Sequence, residues 1–455
     1  MKKIILLSLT IVLTVTIKKG NAQILFPYNG VNYFLNGINI PWHNYNNDFG
    51  SNYLIGSNYN AAFFDSVFTE CQNNGVNCVR VWLHTDGGTS PEFDSLGYVT
   101  GLDTNFFTHL DNFLLLAKNH NIMVIPVIWS FEMMNNDYAW GIYGGMHADL
   151  IQDTLKTRSY INNVLIPMVT RYANQCNLVA WEIINEPEWA TDVSGNDPGI
   201  TQHVTMTEMQ RFVGMLAETI HQHSSKMCTV GSASVKYNSD ISSFPTLCVG
   251  NYWKDAAIQL TYNKPLAHLD FYEIHYYDWM NTVYNNFDPY DYSMPYWGLD
   301  KLTIIGESKG SSSLHNPTDQ LYNAFTGYYS GVLFWSFVGG DGNGDFNTVK
   351  SALLTFRNTL TNIIDFQGCL MTDNPEITPN DIAFKIFPNP ASNQVKIIST
   401  PPLTAEILNV DGRFIKTISI RNKETIIDLT DLNKGIYIIK AISGKKVATQ
   451  KIIKY

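Results

Sequence analysis

Short apolar runs recur between residues 33 and 337 and alternate with longer segments of helical periodicity. Each run is five to eight residues long and mostly apolar, which is typical of a strand buried on both faces of a parallel sheet. The predicted strands are 33–40, 76–83, 122–129, 178–185, 227–231, 269–276, 302–307 and 331–337.

Helical segments separate most of these strands. In 104–120, for example, the apolar residues Phe106, Leu110, Phe113 and Ala117 lie three or four positions apart. Eight strands that alternate with helices predict an α/β fold, a (β/α)₈ TIM barrel, rather than an open doubly wound sheet. No glycine-rich phosphate-binding fingerprint follows the first strand, so we expect no nucleotide and no other cofactor. The predicted helices are 61–74, 104–120, 158–174, 205–223, 319–328 and 348–362.

Both ends of the chain differ from the barrel segment. Lys2 and Lys3 precede an apolar run that ends near Ala22, which predicts a signal peptide over 1–22 and an exported protein. The barrel domain then covers 23–370, and the polar, proline-containing residues 371–380 predict a linker. Residues 381–455 alternate short apolar segments with turns, which predicts a small β-sandwich. We expect no transmembrane helix, because no later apolar run is long enough to span a bilayer.

The formal net charge of −10 is unevenly distributed. Ten lysines and two arginines against six acidic residues give 381–455 a net charge of +6, and the signal peptide carries four lysines. Residues 24–380 therefore carry −20. A barrel this acidic argues against nucleic acid or another polyanion as its partner and favours a neutral ligand.

Six cysteines in an exported chain can form up to three disulfides, but six cysteines allow 15 pairings. No Cys-x-x-Cys spacing indicates a metal site. Simple burial of several cysteines is at least as good an explanation, so the connectivity stays open. The cysteines are residues 71, 78, 176, 228, 248 and 369.

Polar and aromatic side chains collect where the predicted strands end, and in a (β/α)₈ barrel the carboxyl ends of the strands form the catalytic face. Glu186 ends the fourth strand within Asn185-Glu186-Pro187, and Glu307 ends the seventh. Strands three apart face each other across the mouth of an eight-stranded barrel, so the two carboxyl groups can flank one bond. The other candidates at this face are Trp42, Arg80, His84, Asn185, His275, Tyr277 and Trp335.

Two carboxyl groups among tryptophan faces and amide or imidazole donors are what glycoside hydrolysis requires. One carboxyl group must be protonated so that it can donate a proton to the leaving oxygen, and the other must be ionised so that it can attack. The pair Glu186 and Glu307 therefore predicts an O-glycosyl hydrolase.

The chain resembles glycoside hydrolase family 5, in the clan that places its acid/base and its nucleophile on strands four and seven. The resemblance extends from about residue 33 to residue 362. The motifs that carry it are Arg80, Asn185-Glu186-Pro187, His275-Tyr276-Tyr277, Ile305-Gly306-Glu307 and Trp335.

The resemblance implies a retaining mechanism with Glu186 as the acid/base and Glu307 as the nucleophile. It also implies roles for the neighbouring residues. Asn185 would donate a hydrogen bond to the sugar 2-hydroxyl, and Arg80 and Tyr277 would orient Glu307. His275 would bind at the same subsite, with Trp335 as the floor on which the sugar stacks.

Residues at the second and third strands bear on the substrate class. Ile128-Trp129-Ser130 at the third strand lacks a histidine that cellulase-like members often carry, and Arg80-Val81-Trp82 is similar to the β-mannanases. We therefore expect an endo-1,4-β-mannanase, with an endo-β-1,4-glucanase and a non-catalytic glycan-binding barrel as alternatives. Trp140, Trp279 and Trp297 in long loops predict a cleft that stacks several sugars, and hence cleavage within chains.

Some polar residues near the predicted site have structural explanations. Glu182 and Glu273 precede the strand ends, so we expect buried carboxylates paired inside the barrel. For His84, two interpretations are equally good: a ligand in a sugar subsite, or a side chain packed in a loop. The segment 341–345 (DGNGD) is similar to part of a calcium loop, but it lacks the glycine and the terminal glutamate that such a loop needs. We expect no functional metal.

The tail resembles the C-terminal sorting domain of type IX secretion substrates. The resemblance rests on Phe387-Pro388-Asn389-Pro390, on the segment from Asp431-Leu432 to Gly435-Ile436-Tyr437, and on the basic residues of 451–454. It implies that the secretion machinery recognises this domain and that the protein is secreted or attached to the cell surface. An ordinary accessory β-module is the alternative. We expect a monomer.

Overall fold

The computed structural model describes most of the chain outside the first 22 residues and forms two compact units, residues 1–369 and 370–455. The predicted signal peptide 1–22 and linker 371–380 lie outside the described residues, as does Trp140. The described ranges are 23–51, 56–135, 146–193, 200–241, 250–284, 286–367, 369, 384–399, 403–409, 414–443 and 446–454.

The first unit is a closed barrel of eight parallel strands arranged around the axis in sequence order, which confirms the (β/α)₈ prediction. The described residues of these strands are almost all buried, because helices cover the outer face and side chains fill the interior. The barrel strands are β1 (Leu35–Asn39), β2 (Cys78–Thr85), β3 (Met123–Ser130), β4 (Ala180–Asn185), β5 (Met227–Ser232), β6 (Tyr272–Tyr276), β7 (Thr303–Lys309) and β8 (Gly331–Trp335).

Helices surround the barrel, and polar side chains cap several of their N-termini. Thr205 and Glu208 form a reciprocal capping box, in which each side chain accepts a hydrogen bond from the other residue's backbone N–H. The α-helices are α1 (Ala61–Asn73), α2 (Phe106–Asn119), α3 (Met146–Gln152), α4 (Thr154–Tyr160), α5 (Ile166–Arg171), α6 (Met206–His223), α7 (Asp255–Thr261), α8 (Trp279–Val283), α9 (Pro317–Thr326), α10 (Phe346–Thr359) and α11 (Thr361–Ile364).

A hydrophobic cluster closes the N-terminal end of the barrel. A hairpin of Phe26–Tyr28 and Val31–Tyr33 contributes three aromatic residues to it, and strand residues such as Leu35 and Leu333 complete it. In the part of the barrel that the structure describes, apolar packing therefore fills the end opposite to the carboxyl ends of the strands.

One disulfide joins Cys176, which precedes β4, to Cys369, across a sequence separation of 193 residues. Cys71, Cys78 and Cys228 are free and buried, so simple burial explains these three. Cys248 lies outside the described residues.

The second unit contains two antiparallel sheets, consistent with the predicted β-sandwich. One sheet has the strand order β9-β10-β13 and the other β12-β11-β14-β15. Alternate residues of these strands form a separate hydrophobic cluster, as the period of a half-buried strand requires. The strands are β9 (Phe384–Phe387), β10 (Gln394–Ser399), β11 (Leu403–Asn409), β12 (Phe414–Ile420), β13 (Glu424–Asp428), β14 (Gly435–Ser443) and β15 (Lys446–Lys454).

Among the described helices, none has the length and apolar character needed to cross a membrane.

Candidate active site

A cleft of about 360 Å³ opens at the carboxyl ends of the barrel strands. Six of the predicted site residues line it: Trp42, Asn185, Glu186, Tyr277, Glu307 and Trp335. Two further predicted residues, Arg80 and His275, lie beneath it and are buried. The structure therefore brings eight of the predicted side chains together.

Glu186 follows β4 in a left-handed backbone conformation, with φ 45° and ψ 48°. Left-handed conformations are unfavourable for residues other than glycine, so neighbouring contacts must hold this one. The Glu186 backbone N–H donates to the carbonyl of Gly231 at 2.6 Å. The Trp189 indole N–H donates to Glu186 Oε2 at 3.0 Å, and His275 Nδ1 lies 2.8 Å from Oε1.

The carboxyl group of Glu186 has a strongly raised pKa. Burial is the largest cause, and the negative charge of Glu188 is the next, whereas the charge of Arg80 opposes them. Together they raise the pKa of Glu186 to about 8. A carboxyl group with this pKa is protonated at neutral pH and can act as a general acid.

Glu307 lies within β7 and accepts a hydrogen bond on each oxygen. Arg80 Nη1 donates to Oε1 at 2.7 Å, and the Tyr277 hydroxyl donates to Oε2 at 2.6 Å. Burial, with a smaller effect from the charge of Glu186, raises the pKa of Glu307, and the charges of His275 and Arg80 and the Tyr277 hydrogen bond reduce that increase. Since burial lowers the pKa of His275 to about 4, we attribute the stabilisation of the Glu307 carboxylate at neutral pH to Arg80 and Tyr277.

The two glutamates lie close enough to act on the same bond. One oxygen of Glu186 and one of Glu307 lie within 4.8 Å of each other. Retaining glycosidases place their carboxyl groups about 5–5.5 Å apart, whereas inverting enzymes leave roughly 6.5–9.5 Å for a water molecule. The short separation fits the retaining geometry.

Arg80 is fully buried and connects the two halves of the site. Its guanidinium donates to both oxygens of Glu182, at 2.5 and 2.7 Å, and to Asn185 Oδ1 at 2.7 Å. Glu273 Oε1 lies 3.1 Å from Arg80 Nε. Glu182 and Glu273 are thus buried beside the same cation, as the sequence predicted.

Gly231 leaves the space that this network needs. A Cβ atom at this position would lie 2.4 Å from Glu182 Oε1, 2.8 Å from Arg80 Nη2 and 2.9 Å from His275 Nε2. Contacts this short do not occur in folded proteins, so any other residue here would displace the buried ionic network. The need for glycine therefore comes from close approach, and the sequence around MCTVG gives no sign of it.

Aromatic side chains form both walls of the cleft. Trp42, Trp82 and Trp335 contact one another edge to face, with ring centroids 5.5–6.2 Å apart. Trp189 and Trp279 contact each other elsewhere along the cleft, with centroids 6.4 Å apart. Aromatic faces of this kind are suited to stacking on the apolar faces of sugar rings.

The predicted site residue His84 does not enter the cleft. His84 is fully buried, bonds Ser90 Oγ through Nδ1 at 2.7 Å, and packs against Trp129. The register of β2 against β3 is irregular between Trp82 and Thr85, which breaks the alternation that would have put His84 on the face of Arg80 and Trp82.

Trp297 corrects the sequence prediction of a cleft-lining tryptophan. It is fully buried and stacks on Phe287 at a centroid distance of 5.5 Å. Trp279 does line the cleft. Trp140 lies outside the described residues. Of the two predicted cleft tryptophans that the structure describes, Trp279 lines the cleft and Trp297 does not.

The carboxylates of the calcium-like segment have other partners. Asp341 Oδ2 accepts a hydrogen bond from the Trp335 indole at 2.5 Å and so fixes the orientation of that ring. Asp345 caps the N-terminus of α10 through the backbone N–H of Thr348 at 2.9 Å. Each carboxylate thus has a role that needs no ion.

Several residues at the site were not predicted from sequence. Asn39 at the end of β1 accepts a hydrogen bond from Arg80 at 3.0 Å, and Asn185 Nδ2 donates to Ser130 Oγ at 3.1 Å. Asn39 and Ser130 each end a barrel strand, and this position in the sequence could have indicated both residues. Other residues reach the cleft from loops, and their positions depend on the tertiary fold. The loop residues that line the cleft and were not predicted are Phe131, Glu132, Trp189 and Asn343.

Comparison with known families gives two matches. Residues 36–329 match the cellulase family (glycosyl hydrolase family 5), and residues 385–455 match the secretion system C-terminal sorting domain. The second match shows that the chain carries a sorting domain for export to the cell surface or the medium.

Individual relatives are similar over most of the barrel. A mannan endo-1,4-beta-mannosidase of Mytilus edulis is 33% identical over 327 residues, which cover 68% of this chain and 85% of the relative. A protein of the same name from Cryptopygus antarcticus is 29% identical over 337 residues, covering 70% and 84%. The crystal structure of an endo-1,4-beta-mannanase from Eisenia fetida superposes with a TM-score of 0.62 at 29% identity, covering 72% of this chain and 92% of that one.

Proposed function

The chain belongs to glycosyl hydrolase family 5, and from this membership we propose that it is a secreted, retaining endo-1,4-β-mannanase. The observation that carries the proposal is the pair Glu186 and Glu307, which line an aromatic cleft and have one oxygen each within 4.8 Å of the other. The mannan substrate is supported by the relatives named as mannanases. We further propose that the enzyme acts as a monomer, because the side chains of one barrel complete the two-glutamate site.

We assign Glu186 as the acid/base and Glu307 as the nucleophile. Because its pKa is raised, the Glu186 carboxyl group is protonated and donates its proton to the glycosidic oxygen as the bond from that oxygen to C1 breaks. Glu307, held by Arg80 and Tyr277, attacks C1 and forms the covalent sugar–enzyme intermediate. Glu186, now ionised, takes a proton from water as the water displaces Glu307 with a second inversion. The anomeric configuration is therefore retained.

The remaining site residues position the sugar. Asn185 has one amide hydrogen directed to Ser130, which leaves the other for the sugar 2-hydroxyl. Trp335 forms the floor under the reacting sugar, with Trp42 beside it. An open cleft with tryptophans in both walls supports cleavage within chains. His84 takes no part in this assignment.

The substrate is tested by incubating the purified protein with mannan, glucomannan and carboxymethyl cellulose and sizing the earliest products. We expect oligosaccharides from the two mannans and little from cellulose. Faster cleavage of cellulose would favour the endo-β-1,4-glucanase instead. No cleavage of any of them by folded protein would favour a glycan-binding barrel.

The roles of the glutamates are tested by rescue with azide on an activated aryl glycoside. Glu186→Ala should yield a glycosyl azide of retained configuration, and Glu307→Ala one of inverted configuration. Glu70→Ala, at an exposed position, serves as the control and should behave as wild type. Swapped configurations would reverse our assignment, and an inverted wild-type product would contradict the retaining mechanism.

A further inference from the structure

A third carboxyl group, that of Glu188, lies two residues after Glu186 and is fully buried. Its oxygens accept hydrogen bonds from Ser232 Oγ at 2.7 Å, from the backbone N–H of Ala233 at 3.0 Å and from the Trp253 indole at 2.6 Å. These contacts attach the turn after β4 to the end of β5.

The surroundings of Glu188 favour its ionised form. The indole and the backbone amide can only donate hydrogen bonds, so they stabilise a carboxylate rather than a neutral acid. Burial is the largest cause acting on the pKa of Glu188 and raises it above its usual value, and the three hydrogen bonds reduce that increase. Among the described residues, no lysine, arginine or histidine forms an ion pair with it. Glu188 is therefore a buried carboxyl group held by hydrogen-bond donors rather than by a salt bridge.

We propose that Glu188 is a positioning residue whose buried negative charge keeps the Glu186 carboxyl group protonated until its proton passes to the leaving oxygen. The inference rests on the proposed function, because it explains how the proposed acid stays protonated. The two glutamates are held by adjacent residues of β5, because the Glu186 backbone N–H donates to the carbonyl of Gly231 and the Glu188 carboxylate accepts from Ser232 Oγ. A nearby like charge disfavours ionisation of a carboxyl group, and a buried like charge is little screened.

The other groups around Glu186 do not replace this effect. Arg80 and the Trp189 hydrogen bond favour the ionised form of Glu186, and Glu182 opposes them less than Glu188 does. Tyr277 and Tyr284 are neutral phenols with raised pKa values, and burial keeps His275 neutral. Besides Glu188, the charged or titratable groups facing Glu186 are Arg80, Glu132, Glu182, His275, Tyr277, Tyr284 and Glu307.

The same charge also helps the second half of the reaction. Once Glu186 has given its proton to the glycosidic oxygen, two carboxylates lie near each other in a buried site. Their repulsion makes Glu186 a stronger base, and it is relieved when Glu186 takes a proton from the attacking water. Glu188 itself exchanges no proton in either step.

The test is the pH dependence of kcat/KM on soluble mannan for wild type and Glu188→Gln. Glutamine keeps the size of the side chain and one acceptor oxygen but removes the charge. Loss of the charge lowers the pKa of Glu186. As the pH rises, the acid therefore ionises sooner, and the alkaline decline in activity begins at a lower pH than in wild type. We expect the alkaline limb to move down by about one pH unit, with little change in kcat at acidic pH.

Two matched variants separate charge from anchoring. Trp253→Phe removes one hydrogen bond to Glu188 but keeps the charge, and exposed Glu70→Gln removes one charge far from the site. Both should leave the alkaline limb within about 0.3 units of wild type. The inference is overturned if Glu188→Gln has the wild-type limb, or if Trp253→Phe moves the limb as far.

Titration of Glu186 by carbon-13 NMR tests the inference without turnover. Glu186→Gln assigns the signal, and the pKa of Glu186 should fall in Glu188→Gln. If that variant does not fold, the wild-type spectrum decides, because the Glu188 carboxyl group should already be ionised in the pH range where Glu186 titrates. A Glu188 carboxyl group that still holds its proton in that range would overturn the inference. An inactive wild type whose Glu186 titrates as expected would contradict the proposed function alone.

Discussion

At the scale of single residues, the site is organised by hydrogen bonds to the two carboxyl groups. Glu307 receives two donors, one of them the cation Arg80, whereas Glu186 receives one indole N–H and faces a neutral histidine. Donors and a cation favour an ionised carboxylate, and burial without a cation favours a neutral acid. Two side chains of the same type thus acquire opposite tasks.

The hydrogen bond from Tyr277 can be removed without changing the shape of the ring. Tyr277→Phe should lower kcat/KM by about 10- to 100-fold, because a hydrogen bond to a charged group is worth about 1.5–3 kcal/mol. Since Tyr277 lowers the pKa of Glu307, its loss should raise that pKa and move the acid limb of the pH profile to higher pH.

Steady-state kinetics across pH on soluble mannan measures both effects. Tyr322→Phe is the matched control, because its hydroxyl contacts only Thr359 on the surface, and it should match wild type. If Tyr277→Phe keeps the wild-type acid limb, Tyr277 does not stabilise the Glu307 carboxylate.

The sequence predicted which residues lie near strand ends better than it predicted which way their side chains point. Glu186, Glu307 and Tyr277 line the cleft, because each lies within about two residues of the carboxyl end of its strand. His84 does not, because a local register irregularity in β2 turns its side chain into the core. Such irregularities depend on neighbouring strands and leave no signal in the strand's own residues.

At the scale of elements, the apolar runs locate every barrel strand to within about three residues at each end. Strand β6, predicted over 269–276, begins only at Tyr272, and Phe271 just before it packs in the cluster that closes the barrel. Helix α4 begins at Thr154, four residues before the prediction, because Asp153 caps it. Hydrophobic periodicity shows where an element exists, and caps decide where it starts.

The cap on α10 provides a test at this scale. Asp345→Ala should lower the free energy of unfolding by about 1 kcal/mol, because the N–H of Thr348 loses its acceptor at the start of the helix. Asp345→Ser, which can still cap, should lose less. Urea denaturation of the three proteins, with calcium and with a chelator, measures the effect. If the loss disappears in the chelator, Asp345 stabilises the protein by holding calcium and not by capping.

At the scale of the whole molecule, the disulfide is the feature that sequence could not specify. Six cysteines allow many pairings, and the choice depends on which sulfur atoms the fold brings together. Cys176 precedes β4, and Cys369 follows α11 near the end of the first unit. The Tyr28 hydroxyl also donates to the carbonyl of Cys176 at 2.8 Å, so the start and the end of the barrel unit meet at this point.

The last prediction concerns the independence of the two units. Every residue that we assign to catalysis lies before residue 369, the two units have separate hydrophobic cores, and all ten tryptophans lie between Trp42 and Trp335. A protein that ends at residue 380 should therefore keep its full kcat/KM on soluble mannan and its thermal midpoint. In the original host the truncated protein should remain inside the cell, because the sorting domain is missing.

Two controls make the outcome specific. Lys416→Ala removes the ion pair between Lys416 and Asp431 in the second unit, so it alters that domain while leaving the complete chain in place, and it should have wild-type turnover. Fusing 381–455 to an unrelated exported protein should be sufficient to direct that protein to the cell surface or the medium. A folded truncated barrel with reduced turnover would show that the second unit contributes to catalysis, and normal export of the truncated protein would show that the sorting signal lies elsewhere.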